Sequence, residues 1–298
     1  MLDGLGAPFG VVRPPALCYF SPMKPAEIIS YLLPYLVTAG AYSDQIQGGV
    51  STHGAKDGAT IFHHALSDAD ITIQSFLEVA LLAKFPTLNF YSEEQAVSLN
   101  RRYFSGSSEL EVLLDPIDGT RWYIDNRDRY QIIVTIHDER EIVGAVMYMP
   151  RRGLGFCASK GTGAWRLTRE QMLSGAVGER LDVSKSAGPV LTFNSPDVME
   201  RLKGHVPAVD LLDSYVNDGG RYCSTDILEG VATGVAHASC QAIDGGAIGF
   251  IVSEAGGVMT DFAGKRPQSF RDTDARTLPN IIVATNQDVH RRLSKALG

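Results

Sequence analysis

Cysteine is scarce in this chain: four residues in 298, Cys18, Cys157, Cys223 and Cys240, with no C-x-x-C spacing among them. That excludes a disulfide-stapled scaffold and fits a reduced, cytoplasmic setting. Cations are in deficit as well. With 27 Lys and Arg against 34 Asp and Glu, the formal net charge of −7 leaves no basic stripe for nucleic acid and no basic run for a membrane surface. The apolar stretch "IISYLLPYLV" is too short to span a bilayer and holds Pro34. The opening "MLDGLGAPFGVVRPP" has no basic segment ahead of an apolar one, so no secretory leader is expected. Repeats and low-complexity tracts are lacking too. What remains is 44% hydrophobic and long enough to bury a sizeable core. A small-molecule role is favoured. If that molecule is an anion, local cations or backbone dipoles must attract it against the overall field.

Residues 1–24, broken by Gly and Pro, are expected to form an arm without regular structure. Residues 25–298 are expected to form a single domain with two sub-lobes, about 25–168 and 169–298. Helical spacing predicts helices over "PAEIISYLLPYLVTAGAYSDQI", with Pro25 in the tolerant first turn, and over "SDADITIQSFLEVALLAKFP", with Asp70 near its entry. "LNFYSEE" and "ELEVLLDPIDG" read as strands that both end in carboxylates. "YQIIVTIHDEREIVGAVMYMP" reads as a hairpin and "GLGFCASKGTGAWRL" as another antiparallel pair. After a weakly patterned middle, "STDILEGVATGVAH" and "AIDGGAIGFIVSEAGG" read as helices, "VMTDF" and "NIIVATN" as strands, and "QDVHRRLSKAL" as a last helix. The expectation is an α+β fold of mixed helices and largely antiparallel sheets in layers.

The stretch "EVLLDPIDGT" carries the chemistry. Pro116 disfavours helical geometry at Asp115, so the strand stays extended there and is then expected to turn sharply, letting Asp115 and Asp118 converge and exposing the Ile117 carbonyl. Two carboxylates and a carbonyl, without His or Cys nearby, form a hard-oxygen set that suits Mg2+ and not Zn2+. Gly119 and Thr120 offer backbone N–H groups to phosphate oxygens. Taken alone, the same residues also fit a well-capped turn.

"LLDPIDGT" together with "AIDGGAIGFIVSEAGG" resembles the paired signatures of the inositol monophosphatase family, within the Mg2+-dependent, lithium-sensitive phosphomonoesterase superfamily that includes fructose-1,6-bisphosphatases and 3′-phosphonucleotidases. "FYSEE" and "EIVGAVMYMPRRGLGFCASKGTGAW" extend the likeness in order, over roughly residues 50 to 290. The resemblance implies a layered αβαβα sandwich and two or three Mg2+ ions. Glu93, Asp115 and the Ile117 carbonyl would ligate one ion, and Asp115, Asp118 and Asp244 a second. Thr120 and Glu93 would position the attacking water, Asp70 would bond Thr120, and Glu94 would support from behind. Gly119, Thr120, Asp118 and Asp244 would hold the substrate, and a homodimer is implied although no interface stripe stands out. Independently of any likeness, four such carboxylates in one pocket cannot stay ionised, or admit a phosphate, without cations.

Departures bear on the substrate. Ile243 stands where a tryptophan or another large residue usually precedes the second-signature aspartate. His237, seven positions before Asp244, replaces the glutamate of inositol-specific members and reads as either a substrate contact or an ordinary polar residue. Arg121 leans toward the 3′-phosphonucleotidases, whereas Trp122 agrees with neither branch. Trp122 and Tyr123 read as packing residues more than as a base-stacking shelf. Lys56 matches a phosphate-side lysine at a longer spacing than usual, and His63 and His64 lack partners at metal spacing. Arg127, Asp128 and Arg129 read as a solvated loop more than as a rim that attracts an anionic substrate. Three functions follow as expectations: hydrolysis of a small inositol or sugar phosphate, a 3′(2′),5′-bisphosphate nucleotidase, and a catalytically silent phosphate or metal binder.

Overall fold

The computed structural model describes residues 23–50, 67–267, 276–278 and 280–298. Lys56, His63, His64 and all but the last two residues of the expected arm lie outside them.

Helix α1 (Pro25–Ile46) buries Ile28, Ile29, Leu32, Leu33, Leu36 and Val37, the one-sided stripe that its helical spacing predicts. Helix α2 (Asp68–Lys84) packs beside it, closing as expected before Pro86. Both lie on one face of a seven-stranded sheet whose strands follow chain order: β1 (Asn89–Ser92), β2 (Glu111–Asp118), β3 (Gln131–His137), β4 (Ile142–Met149), β5 (Leu154–Ser159), β6 (Gly163–Thr168) and β7 (Glu179–Arg180). Every neighbouring pair is antiparallel except β1 with β2, which is parallel. The short α3 (Thr120–Ile124) follows β2, and α4 (Arg169–Ser174) follows β6.

A second sheet is built from shorter pieces. Its strands are β8 (Val190–Thr192), β9 (Ala208–Asp210), β10 (Gly234–His237), β12 (Val258–Thr260) and β14 (Ile281–Ala284), ordered β12-β14-β10-β8-β9. Strands β11 (Cys240–Gln241) and β13 (Thr277–Leu278) form a separate ribbon. Helices α5 (Pro196–Leu202), α6 (Leu211–Asn217), α7 (Gly245–Glu254) and α8 (Gln287–Leu297) complete this part.

The period of two along each strand shows how the layers stack. Val112 and Leu114 of β2 join the cluster under α1 and α2, while Leu113 joins a cluster on the opposite face. That second cluster holds Ile248, Ile251 and Val252 of α7, together with Val235 of β10 and Val283 of β14. The alternate residues Ala236, Ile282 and Ala284 pack under Leu202 of α5 and Leu293 of α8. The order is therefore helices, sheet, helix, sheet, helices, the αβαβα sandwich that the family signatures imply. Because β2, β3 and β4 are covered on both faces, their residues are buried almost without exception, and the sequence shows near-continuous apolar runs. No described helix is long and apolar enough to cross a membrane.

One expected helix is absent. "STDILEGVATGVAH" folds as a short 3-10 turn over Ser224–Ile227 and then as strand β10. Gly230, with φ of 78°, breaks the helix, and the four residues of β10, Val235 among them, are all buried, as in a strand covered on both faces.

Candidate active site

Parallel pairing of β1 and β2 sends both strands toward the same edge of the sheet. Ser92 pairs with Leu114, and the Glu93 amide donates to the Leu114 carbonyl at 2.9 Å, so Glu93 and Asp115 leave the ladder together. Residues 115 and 118 of a regular strand would point to opposite faces. Here the ladder passes from Asp115 opposite Ile133 to Asp118 opposite Gln131, three steps on one strand against two on the other. This bulge lets the two carboxylates converge. Pro116 sits within it, where its missing N–H breaks no pair. The sharp turn expected after Asp115 is thus a bulge, and the strand rejoins its neighbour at Asp118 before turning at Gly119. Asp115 Oδ1 also accepts the Ile117 amide at 3.0 Å, which fixes the bend.

Asp244 arrives from the other half of the chain, at the residue that precedes α7. One oxygen from each of Asp115, Asp118 and Asp244 lies within 4.8 Å of the others, and among the described residues no other three acidic, His or Cys groups gather so closely. Glu93 stands outside that group of three, yet its charge acts on Asp70, Asp115 and Asp118. Burial, and then the charges of Glu93, Asp244, Asp118 and Asp70, hold the Asp115 carboxyl well above the ordinary carboxylate range. Burial pushes Asp118 up to about 6, with Glu93 adding to the shift while the Gln131 side chain and the Gly119 amide oppose it. So much mutual repulsion would be relieved by a cation, and the hard carboxylate oxygens fit a divalent ion such as Mg2+.

Thr120 opens α3, and its hydroxyl donates to the Ile117 carbonyl at 2.8 Å, with Asp70 Oδ1 at 3.4 Å. Asp70 is buried in the first turn of α2, where Oδ2 accepts the Ser67 amide at 2.8 Å and the Ser67 hydroxyl at 2.6 Å. Burial outweighs those bonds and, with the charges of Glu93 and Glu94, raises Asp70 to about 7. Gly119 takes φ of 81°, and a Cβ there would meet the Arg129 carbonyl at 2.9 Å, so glycine alone suits the turn. Glu94 is buried, its charge acts on Asp70, and its backbone carbonyl accepts Gln74 Nε2 at 3.1 Å. His237 is buried in β10, opposite Ile281, and burial lowers its pKa to about 4, so it is neutral.

Several residues escaped the sequence reading. In line with Asp70 at helical spacing on α2, the buried Gln74 and Glu78 grip the 94–100 segment through Glu94, Ser98 and Asn100. That spacing was a usable signal. The expected solvated loop is also corrected: Arg129 pairs with the buried Asp226 at 2.7 Å, and Arg127 lies 4.2 Å over the Tyr215 ring and donates to the Gly219 carbonyl. Both arginines tie the loop before β3 to the segment after α6, partners about ninety residues away that no local pattern announces. Trp122 and Tyr123 are buried, as packing residues should be. Arg121 is held by Asp125 and the Tyr215 hydroxyl.

Comparison with known proteins gives a consistent picture. The sequence profile described as the inositol monophosphatase family matches residues 36–297. A 3′(2′),5′-bisphosphate nucleotidase CysQ from Aggregatibacter actinomycetemcomitans is 23% identical over 225 residues, covering 75% of this chain and 81% of that protein. A histidinol-phosphatase from Chlorobaculum parvum is 25% identical over 240 residues, covering 78% and 83%. Among solved structures, an IMPase from Thermotoga maritima superposes with a TM-score of 0.66 at 20% identity, covering 91% of this chain and 96% of that one.

Proposed function

The chain belongs to the inositol monophosphatase family, and we propose that it is a Mg2+-dependent phosphomonoesterase acting on a small phosphorylated alcohol. The observation that carries this reading is the gathering of Asp115, Asp118 and Asp244, drawn from both halves of the chain, within 4.8 Å. Such a cluster costs stability in the empty protein and has no packing rationale, which argues against a catalytically silent relative. In this reading Glu93, Asp115, Asp118, Asp244 and the Ile117 carbonyl hold the cations. When bound, the cations cancel the carboxylate charge and polarise both phosphate and water.

The protein's own groups do the rest. Asp70 and the Ile117 carbonyl orient the Thr120 hydroxyl, which with Glu93 positions the attacking water. The left-handed turn at Gly119 presents the Gly119 and Thr120 amides to the phosphate oxygens. His237 is a candidate substrate contact that could serve only as a neutral hydrogen-bonding group. The two relatives are named for unlike substrates, so the alcohol is left to experiment; the resemblance also favours a homodimer, which light scattering reads directly. Phosphate release measured over inositol phosphates, sugar phosphates, histidinol phosphate and adenosine 3′,5′-bisphosphate, with and without Mg2+, tests the reading. Strong preference for the bisphosphate would select the nucleotidase, to which the CysQ relative points. Absence of Mg2+-dependent release across the whole panel would refute the assignment.

A further inference from the structure

Gln131 opens β3 directly across the ladder from Asp118, at the point where β2 resumes after its bulge. Its side chain is buried, and Nε2 donates to Asp118 Oδ2. A neutral donor therefore grips Asp118 from the protein side. The neighbouring residue is fixed in turn: Tyr130 donates its hydroxyl to Asp44 Oδ1 at 2.6 Å and lies 3.1 Å from the Ser43 hydroxyl, both on α1.

We propose that Gln131 is a positioning residue for the Asp118 carboxylate, holding one oxygen so that the group's plane is set toward Asp115 and Asp244 and a divalent cation meets a preformed cradle. The inference rests on the cation reading of the site given above. An amide suits this place for a chemical reason. Lysine or arginine would cancel the negative charge that the cation needs, and a carboxylate would add to the repulsion that already raises Asp115 and Asp118. An amide donor orients without neutralising. Because Gln131 and Asp118 are cross-strand neighbours, the sheet itself brings donor and acceptor together, and little side-chain freedom is lost in joining them.

Gln131→Met keeps the length and removes the donor. Mn2+ binding to the metal-stripped protein, followed by the paramagnetic resonance of free Mn2+, is expected to weaken by about 10- to 100-fold. At saturating Mg2+, kcat should return and the substrate KM should stay within about twofold of the unaltered protein, because the defect lies in holding the ion and not in the chemistry. Gln131→Asn, which withdraws the donor by one methylene, is expected to weaken Mn2+ binding in the same direction and serves if the Met variant does not fold. Unaltered Mn2+ affinity in a folded variant overturns the proposal. So does a loss of kcat that saturating Mg2+ fails to restore, since that marks a distorted fold. If the unaltered protein itself binds no Mn2+, the cation reading fails first and the role of Gln131 falls with it.

Discussion

Within β2, Val112, Leu113 and Leu114 are sealed between the α1–α2 layer and the layer of α7, whereas Asp115 and Asp118, a few residues on, face other carboxylates. The first stretch lowers its free energy by leaving water, at about 25 cal/mol per Å2 of apolar surface. The second raises it by crowding like charges in a buried place. One strand thus carries both a stabilising and a destabilising region, which meet between Leu114 and Asp115, and the bulge at Pro116 lies inside the second. The lesson is that the interior stabilises a mouth which is unfavourable by itself and which, on the proposed reading, a cation would relieve.

The sharpest way to break this contrast is Asp118→Asn. Phosphate release should fall by more than about a hundredfold, the loss expected for a direct ligand when outer partners alone cost 10- to 100-fold. The metal-free melting temperature should hold or rise, because a repelled charge has gone; near-normal turnover would contradict the site. In the interior the signs reverse. Leu114→Ala should destabilise by about 2–5 kcal/mol in denaturant unfolding, while the folded fraction keeps its kcat. Gly119→Ala, just beyond the second region, should cost about 1–2 kcal/mol for its left-handed backbone and also lose activity, since the Arg129 carbonyl stands in the way.

A gentler probe is pH. Asp70 and Asp118 are raised to about 7 and about 6 in the fold, above the ordinary aspartate value near 4. The folded protein therefore binds more protons than the unfolded chain between about pH 4 and 7, and stability falls as pH rises through that window. Metal-free melting should follow this trend, and Mg2+ should flatten it; a melting temperature that climbs from pH 4 to 7 would contradict the burial of these groups. The smallest effect is expected from Asp70→Asn. It should lower kcat by about tenfold, the worth of one hydrogen bond to a charged group, with little change in KM.

Much of this arrangement was legible in the sequence, for identifiable reasons. Six strands of the seven-stranded sheet are read easily because they follow chain order and most close locally as hairpins, while the two-residue β7 lies in the weakly patterned middle. Asp115, Ile117 and Asp118 fall within a few residues of one another, so a short motif exposes them. The segment holding β10 misled, because its partners β8 and β14 lie far off in the chain and its buried-both-sides pattern does not alternate. Gln131, Arg129 and Asp226 were missed for a related reason. A neutral amide and a surface-like arginine have no signature until the ladder or the packed turn supplies their partner. Asp70 was found through its likeness to a family motif, but the buried Gln74 and Glu78 in line with it went unread.

The distance along the chain between Asp118 and Asp244 carries a consequence for biosynthesis. A ribosome extends the chain from its N-terminus, and the early carboxylates emerge well before α7 can present Asp244. On the proposed cation reading, the nascent half until then displays an incomplete chelator. Competence for catalysis would then arrive late, with the docking of α7 onto the long sheet, and truncated translation products are expected to be inert even where their first sheet has formed.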